Sequence, residues 1–353
     1  MGCRCIKDAG GLTIAQDPEE AKFDGMPGSA INAKAIEQIL PVKIIGEKLS
    51  LMFPALFPVS PKSPAPTSPA ATPATHNDTP PSDIDPRELD ELRILLLRVH
   101  ETTGIDFSSY KEETLLRRLS KRKAALGIAG AEEYLALIKR QPDEVKTLQQ
   151  LFLISVSSFF RDRASFRELE RALAAALVNK PDGEPVRAWV PGCASGDECY
   201  SLAIILTELL GEHRARHAIQ IIGSDLNPEA LATAHAGIYR LTALSEVDKT
   251  LRERYFTAHG QHFEVNAALR HCVSFEQRDV LAGTPCGEFD LVSCRNLLIY
   301  MKSQLQDKLV KSFHRTLRPL GLLFVGQSES LSFLGNSLFT PIDHYHRLFR
   351  RRH

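Results

Sequence analysis

The residues able to do chemistry gather in five segments. The first is Ala188-Trp189-Val190-Pro191-Gly192-Cys193-Ala194-Ser195-Gly196-Asp197-Glu198. A short apolar run leads into a loop with glycines four apart, and a helical pattern follows. Such a loop lets backbone approach a ligand where a side chain would clash. It is neither the GxGxxG dinucleotide fingerprint nor a phosphate loop, which needs Gly-Lys-Ser/Thr. Asp197 and Glu198 would repel a pyrophosphate and suit a cation. S-adenosylmethionine, with its sulfonium and amino group, is such a ligand. A tight turn with no ligand has the same pattern.

The second segment, Ile221-Ile222-Gly223-Ser224-Asp225-Leu226-Asn227, ends a strand pattern on an acidic residue. A carboxylate at that edge commonly accepts from ribose hydroxyls. Asp225 suits that role, because Asn227 is the better helix cap. The third, Arg278-Asp279-Val280, offers a carboxylate to an adenine amino group, or a plain turn residue. The fourth runs Phe289-Asp290-Leu291-Val292-Ser293-Cys294-Arg295-Asn296-Leu297-Leu298-Ile299-Tyr300. Its buried strand delivers Arg295 and Asn296 to the carboxyl edge of a sheet, where open α/β sheets bind ligands. Tyr300 follows within a turn, as a site residue or a core aromatic. The fifth, Ser155-Val156-Ser157-Ser158-Phe159-Phe160-Arg161-Asp162, reads as a seal between domains or a plain linker.

These segments need a frame. Residues 1–85 form a Pro-rich extension and linker; ten prolines fall between Pro54 and Pro86, and the Pro/Ala/Ser/Thr run 58–81 cannot bury enough apolar surface to order itself. Residues 86–160 read as an all-helical domain. Leu89, Leu92, Ile94, Leu95, Leu96 and Val99 give one amphipathic helix; residues 112–125 give a second, ended by Gly127, and further helices fall near 131–140, 143–154 and 163–178. On the second helix Arg117, Arg118, Lys121 and Arg122 share one face. That face is either a docking surface or simply solvated. Residues 161–353 alternate strands and helices, which implies a doubly wound, mostly parallel sheet. Strands are expected at 186–190, 219–223, 273–275, 289–293, 322–325 and 344–350. A Ser303-x-x-Gln306 capping box opens a late helix, and residues 252–272 read as a hairpin insert.

Composition closes off other classes. Of 353 residues, 43% are apolar and 24% charged, and 43 Lys plus Arg balance 43 Asp plus Glu. A disordered chain, a collagen-like chain and a membrane bundle are excluded, and a basic nucleic-acid coat is disfavoured. Seven cysteines, an odd number without a CxxC pair, predict neither a disulfide scaffold nor a metal site, and free thiols fit a reducing cytoplasm. No apolar run reaches the ~18 residues of a spanning helix. Signal-peptide and myristoylation patterns are missing as well.

In series, Ser157–Asp162, the Pro191–Ser201 loop, Ser224-Asp225, Ala236-Gly237-Ile238-Tyr239-Arg240, Cys294–Tyr300 and Gly326-Gln327-Ser328-Glu329-Ser330 resemble one family, the CheR-type chemotaxis receptor methyltransferases. The resemblance runs from about Glu88 to the C-terminus. It implies a small helical domain followed by a Rossmann-like methyltransferase sheet with a small antiparallel insert. It also implies S-adenosylmethionine as cofactor, S-adenosylhomocysteine as product, and glutamate side chains of methyl-accepting chemotaxis proteins as acceptors, in the cytoplasm. Ser155, Ser157 and Arg161 would contact the cofactor from the domain junction, Gly192 would line it, and Glu198 would hold its amino end. Asp225 would bind the ribose, while Asp279 and Val280 would surround the adenine. Arg295 and Asn296 would lie near the reacting methyl with Tyr300 beside it, and Arg295 or Arg161 would orient the acceptor carboxylate. The basic helix 111–123 would meet the receptor's acidic helical bundle. Ser155 stands where Asn is expected, Ser157 where Thr is, Asp279 where some members have Asn, and Cys199 where proline is common. The short insert implies no need for a receptor C-terminal pentapeptide tether. A regulator that binds the cofactor without turnover, or a methyltransferase for another acceptor, shares many of these features.

Overall fold

A computed structural model describes residues 13–18, 20, 31, 36–45, 48, 85–128, 130–178, 180, 181, 183–211 and 218–352. The chain divides into two compact units, Met1–Thr79 and Pro80–His353. In the first, β1 (Ile14–Gln16) and β2 (Gln38–Leu40) pair in parallel, with Ala15 opposite Ile39. Part of the expected extension is therefore hydrogen-bonded sheet. The Pro-rich run 58–81 lies outside the described residues.

The second unit opens with helices α1 (Pro86–Thr103), α2 (Glu112–Ala125), α3 (Ala131–Arg140) and α4 (Asp143–Phe152). Asp85 caps α1 by accepting from the Arg87 N–H at 2.8 Å, Pro86 fills the first turn, and Gly104 ends the helix at φ +76°. Leu92, Leu95 and Val99 recur at helical spacing and are buried against Leu115 and Leu119 of α2 and Val145 and Leu148 of α4. Helix α5 (Arg163–Leu177) then leads to the sheet.

The main sheet contains β3 (Val186–Pro191), β4 (Ile219–Asp225), β8 (Val273–Gln277), β9 (Phe289–Cys294), β10 (Leu317–Val325), β11 (Phe339–Asp343) and β12 (Leu348–Arg351), in the order β11-β12-β10-β9-β3-β4-β8. The five strands from β10 to β8 are parallel, and β12 runs antiparallel to both β10 and β11. Ala188, Val190 and Leu291 face one core, with α5 and α6 (Asp197–Leu210). Trp189 and Val292 face the other, with α10 (Ser303–Thr316) and the four-helix region. Both faces are covered, which is why the strands read as apolar runs rather than alternations. From β3 the chain winds outward through β4 to β8, then returns to β9 on the other side of β3. This reversal opens a crevice at the carboxyl ends of β3 and β9.

The insert is larger than a hairpin. β6 (Phe256–His259) and β7 (His262–Val265) form the expected antiparallel pair, but β5 (Ile238–Arg240) adds a third strand on β7. Helix α7 (Pro228–Ala236), capped by Asn227, precedes this sheet, while α8 (Lys249–Tyr255) and α9 (Ala267–His271) flank the hairpin. Two expectations fail at the end of the chain. The last strand begins at Leu348 rather than His344, because residues 344–347 turn the chain from β11 into β12. The capping box does not form either. Lys302 is the residue preceding α10, and the Gln306 amide instead donates to the carbonyls of Leu298 and Met301 at 2.7 and 3.1 Å. A short α11 (Phe333–Leu338) completes the unit.

Candidate active site

The loops after β3, β4, β8 and β9 converge on a pocket in this crevice. It is lined by Ser155, Val156, Ser157, Arg161, Gly192, Cys193, Ala194, Glu198, Asp225, Leu226, Arg278, Val280, Arg295, Asn296, Leu297 and Tyr300, with Tyr110, Phe152, Leu153 and Ile154 from the helical region. The glycine loop is tied to the end of β4. Gly192 N–H donates to the Ser224 carbonyl at 2.7 Å, and Ala194 N–H to Asp225 Oδ2 at 2.8 Å. Gly192 has φ +69°, and a Cβ there would lie 3.0 Å from Leu297 Cδ2. Gly196, at φ +83°, would place a Cβ 2.8 Å from Ala234, so this end of the loop serves close packing. Phe160, Asp162, Ala194 and Asn296 also hold φ between +48° and +62°. Left-handed non-glycine residues carry strain, and two of these, Ala194 and Asn296, line the pocket.

Glu198, in the first turn of α6, accepts from Ser293 Oγ at 2.6 Å and lies 3.5 Å from Arg295 Nη1. Burial pushes its carboxyl above the ordinary glutamate range, against the pull of Arg295. A buried carboxylate lining a pocket with a single guanidinium nearby favours an added cation, which fits the amino end of S-adenosylmethionine. Asp225 ends β4 as expected, accepts from Ala194 and Asn227 N–H groups, and is likewise raised by burial. Its oxygens retain acceptor capacity for hydroxyl donors.

Residues 155–346 match the description CheR methyltransferase, SAM binding domain, and residues 90–153 match its all-alpha domain. The chain belongs to the CheR methyltransferase family. It is 30% identical to chemotaxis protein methyltransferase 2 of Pseudomonas aeruginosa, over 69% of this chain and 90% of that one. It is 31% identical to a chemotaxis protein methyltransferase of Klebsiella aerogenes, over 68% and 83%. An uncharacterized 104.1 kDa protein of Rhodobacter capsulatus is 30% identical over 99% of this chain, which spans only 37% of that protein's length. Residues 1–49 match the description CheB methylesterase. The cofactor of the CheR-family domain is S-adenosylmethionine.

The expected site residues do not all stand in their expected places. Ser155, Ser157, Arg161, Gly192, Glu198, Asp225, Val280, Arg295, Asn296 and Tyr300 line the pocket, and Asp279 does not. Asp279 instead caps its own turn, accepting from the Leu281 N–H at 2.8 Å. Arg295 is oriented inward, with its side chain 1% exposed. It donates to Asp162 Oδ2 at 2.7 Å and to the Arg161 carbonyl at 2.8 Å, and lies over the Phe166 and Phe324 rings. The guanidinium thus holds Asp162 and Glu198 in place, while its Nε has no partner among the described residues. Arg161 lines the pocket and pairs with no carboxylate among the described residues; its Nη1 donates to the Val156 carbonyl at 3.3 Å.

The basic face of α2 is also divided. Arg122 makes a two-pronged ion pair with buried Glu144 at 2.8 and 2.7 Å, and Arg118 donates to the Leu151 carbonyl at 2.8 Å. Both bind α2 to α4. Arg117 and Lys121 are exposed.

Glu329, within the Gly326–Ser330 motif, holds the site's shape. Buried to 3% exposure, it accepts from the N–H groups of Gly326, Asn296, Leu298 and Ile299 at 2.5 to 3.3 Å. No spacing rule links residue 329 to residues 296–299; only the pairing of β9 with β10 brings them together.

Among the described residues, no helix is long and apolar enough to cross a membrane, and no cluster of His, Cys, Asp and Glu could hold a metal ion.

Proposed function

We propose that this chain methylates glutamate side-chain carboxylates of methyl-accepting chemotaxis proteins in the cytoplasm, for sensory adaptation. One observation carries the reading: among the described residues the pocket is lined by neither histidine nor lysine, and its two carboxylates, Glu198 and Asp225, are already engaged in hydrogen bonds. A site so short of general bases suits an acceptor that arrives ionised. Glutamate does, with a pKa of about 4.3.

When bound, S-adenosylmethionine supplies an electrophilic methyl on a sulfonium. Glu198 holds its amino end and Asp225 its ribose. Arg161 orients the incoming carboxylate, with Tyr300 beside it. Arg295 keeps Glu198 and the Arg161–Asp162 turn in place. Because carboxylate and sulfonium neutralise each other as reaction proceeds, a water-poor site favours transfer, and alignment is the chain's main contribution. Lys121 and Arg117 on α2 meet the acidic bundle of the receptor. The tight turn at Gly260-Gln261 between β6 and β7 supports docking without a C-terminal pentapeptide. The match over residues 1–49 supports a methylesterase-type unit in the same polypeptide, able to remove the ester that the CheR-family unit makes.

The test uses methyl-labelled S-adenosylmethionine, the chain, and receptor-bearing membranes. Alkali-labile label released as methanol from a receptor-sized band, lost with Asp225→Ala, is expected. Binding of S-adenosylhomocysteine without such label would move the reading to a regulator or another acceptor.

A further inference from the structure

The helical domain reaches into the pocket with residues the motifs do not mark, and Tyr110 is the polar one. We propose that Tyr110, in the turn between α1 and α2, is a cofactor-binding residue that hydrogen-bonds the nucleoside half of S-adenosylmethionine. The inference rests on the reading of the crevice as the cofactor site.

Tyr110 is 9% exposed and lines the pocket together with Asp225 and Val280. Its position is fixed from several sides. Asp106 Oδ1 caps the turn through the Ser108 N–H at 2.8 Å, and Tyr110 N–H donates to the Phe107 carbonyl at 3.0 Å. The ring packs edge-on to Phe107, centroids 5.2 Å apart. A strip of main-chain bonds then ties the turn to the segment after β9. Lys111 N–H donates to the Tyr300 carbonyl at 2.9 Å, Lys302 N–H donates to the Ser109 carbonyl at 3.0 Å, and Tyr110 and Met301 form an antiparallel bridge. The ring is therefore held by the same segment that presents Tyr300.

The hydroxyl makes no hydrogen bond to any described residue, and it is not among the side-chain atoms sealed away without a partner. Buried phenols usually find a partner, so this one is placed to take its partner from a ligand in the pocket. Burial, with the carboxylates of Asp225 and Asp279 nearby, holds its proton on far above neutral pH. It is thus a permanent donor beside Asp225, which can only accept. A ribose hydroxyl or an adenine nitrogen can accept from the phenol, and a ribose hydroxyl can in turn donate to Asp225. The amino-acid half belongs to Glu198, across the glycine loop.

Calorimetry on the full chain tests this with two probes: S-adenosylhomocysteine, and 5′-methylthioadenosine, which carries the nucleoside without the amino acid. Tyr110→Phe keeps the ring and removes only the hydroxyl. Both ligands are expected to weaken by the same factor, roughly 2- to 12-fold, the worth of one hydrogen bond. Glu198→Gln is expected to weaken S-adenosylhomocysteine alone. Unchanged unfolding of Tyr110→Phe, followed at Trp189, separates a lost contact from a lost fold. Equal affinities in Tyr110→Phe and parent would overturn the proposal while leaving the cofactor site standing. So would weakening of S-adenosylhomocysteine alone. A parent chain that binds neither ligand would instead overturn the reading of the pocket, and this assignment with it.

Discussion

Replacing Glu329 by glutamine exchanges one oxygen for an NH2 group and should cost much of the unit's stability. Each carboxylate oxygen serves two N–H groups: Oε1 those of Leu298 and Ile299, Oε2 those of Asn296 and Gly326. A glutamine keeps one oxygen. Whichever way the amide turns, its NH2 faces two donors, and two buried N–H groups lose their acceptor. Hydrogen bonds to charged groups are worth about 1.5–3 kcal/mol each, and a buried group left unpaired costs about 1–3 kcal/mol. With partial relaxation, a loss of about 3–5 kcal/mol follows, against a whole-domain stability of about 5–15 kcal/mol. The chain holds a single tryptophan, Trp189, fully buried in β3. Its fluorescence in a urea titration therefore reports this unit alone. The expected outcome is a midpoint shift at unchanged slope, with weaker S-adenosylhomocysteine binding because the Asn296–Ile299 loop has lost its anchor. A Glu329→Gln chain whose midpoint gives a stability within about 0.5 kcal/mol of the parent would refute the argument that this carboxylate organises the loop.

Three further outcomes follow from the same geometry. Burial raises the Glu198 pKa, so the fold favours the protonated acid at low pH while a cationic amino group needs the anion. Affinity for S-adenosylhomocysteine should accordingly tighten as pH rises through a range above the ordinary glutamate value, and Glu198→Gln should flatten that profile in calorimetry. Arg295→Ala strands Asp162 and Glu198 without their buried cation, so a destabilisation of about 3–5 kcal/mol by urea titration is expected, together with loss of cofactor binding; a stable variant that loses only turnover would return Arg295 to the chemistry. Lys121→Glu should raise the KM for receptor at constant cofactor affinity, whereas Arg122→Glu should instead lower the urea midpoint, because it faces Glu144; equal receptor kinetics in Lys121→Glu would remove α2 from docking.

Much of this fold is legible in the chain because its signals are local. Asn227-Pro228 announces α7, apolar runs announce strands buried on both faces, and Gly192 and Gly196 announce the loop between β3 and α6. The pocket is legible for the same reason, since the ends of parallel strands meet at one edge of a sheet whatever their order. What escapes is non-local. The partners of Arg295 lie on α6 and at the start of α5, so nothing near residue 295 says that it pairs with Asp162 and Glu198. The basic stripe on α2 looks uniform, yet Glu144, twenty-two residues beyond Arg122, divides it. β11 hides because a nearby turn interrupts the pattern, and Tyr110 because its role depends on a bridge to Met301.

That bridge, with the main-chain bonds on either side of it, bears on how such enzymes change their targets. Acceptor choice is usually pictured as the property of an adaptor that can be exchanged while the catalytic body stays constant. Here the proposed adaptor also supplies a wall of the catalytic body's own cofactor site. A graft of a different helical domain onto residues 155–352 would inherit new acceptors only by rebuilding cofactor affinity at the same time. If α2 docks the receptor, a change at Lys121, on its exposed face, alters recognition and leaves the seam through Tyr110 untouched.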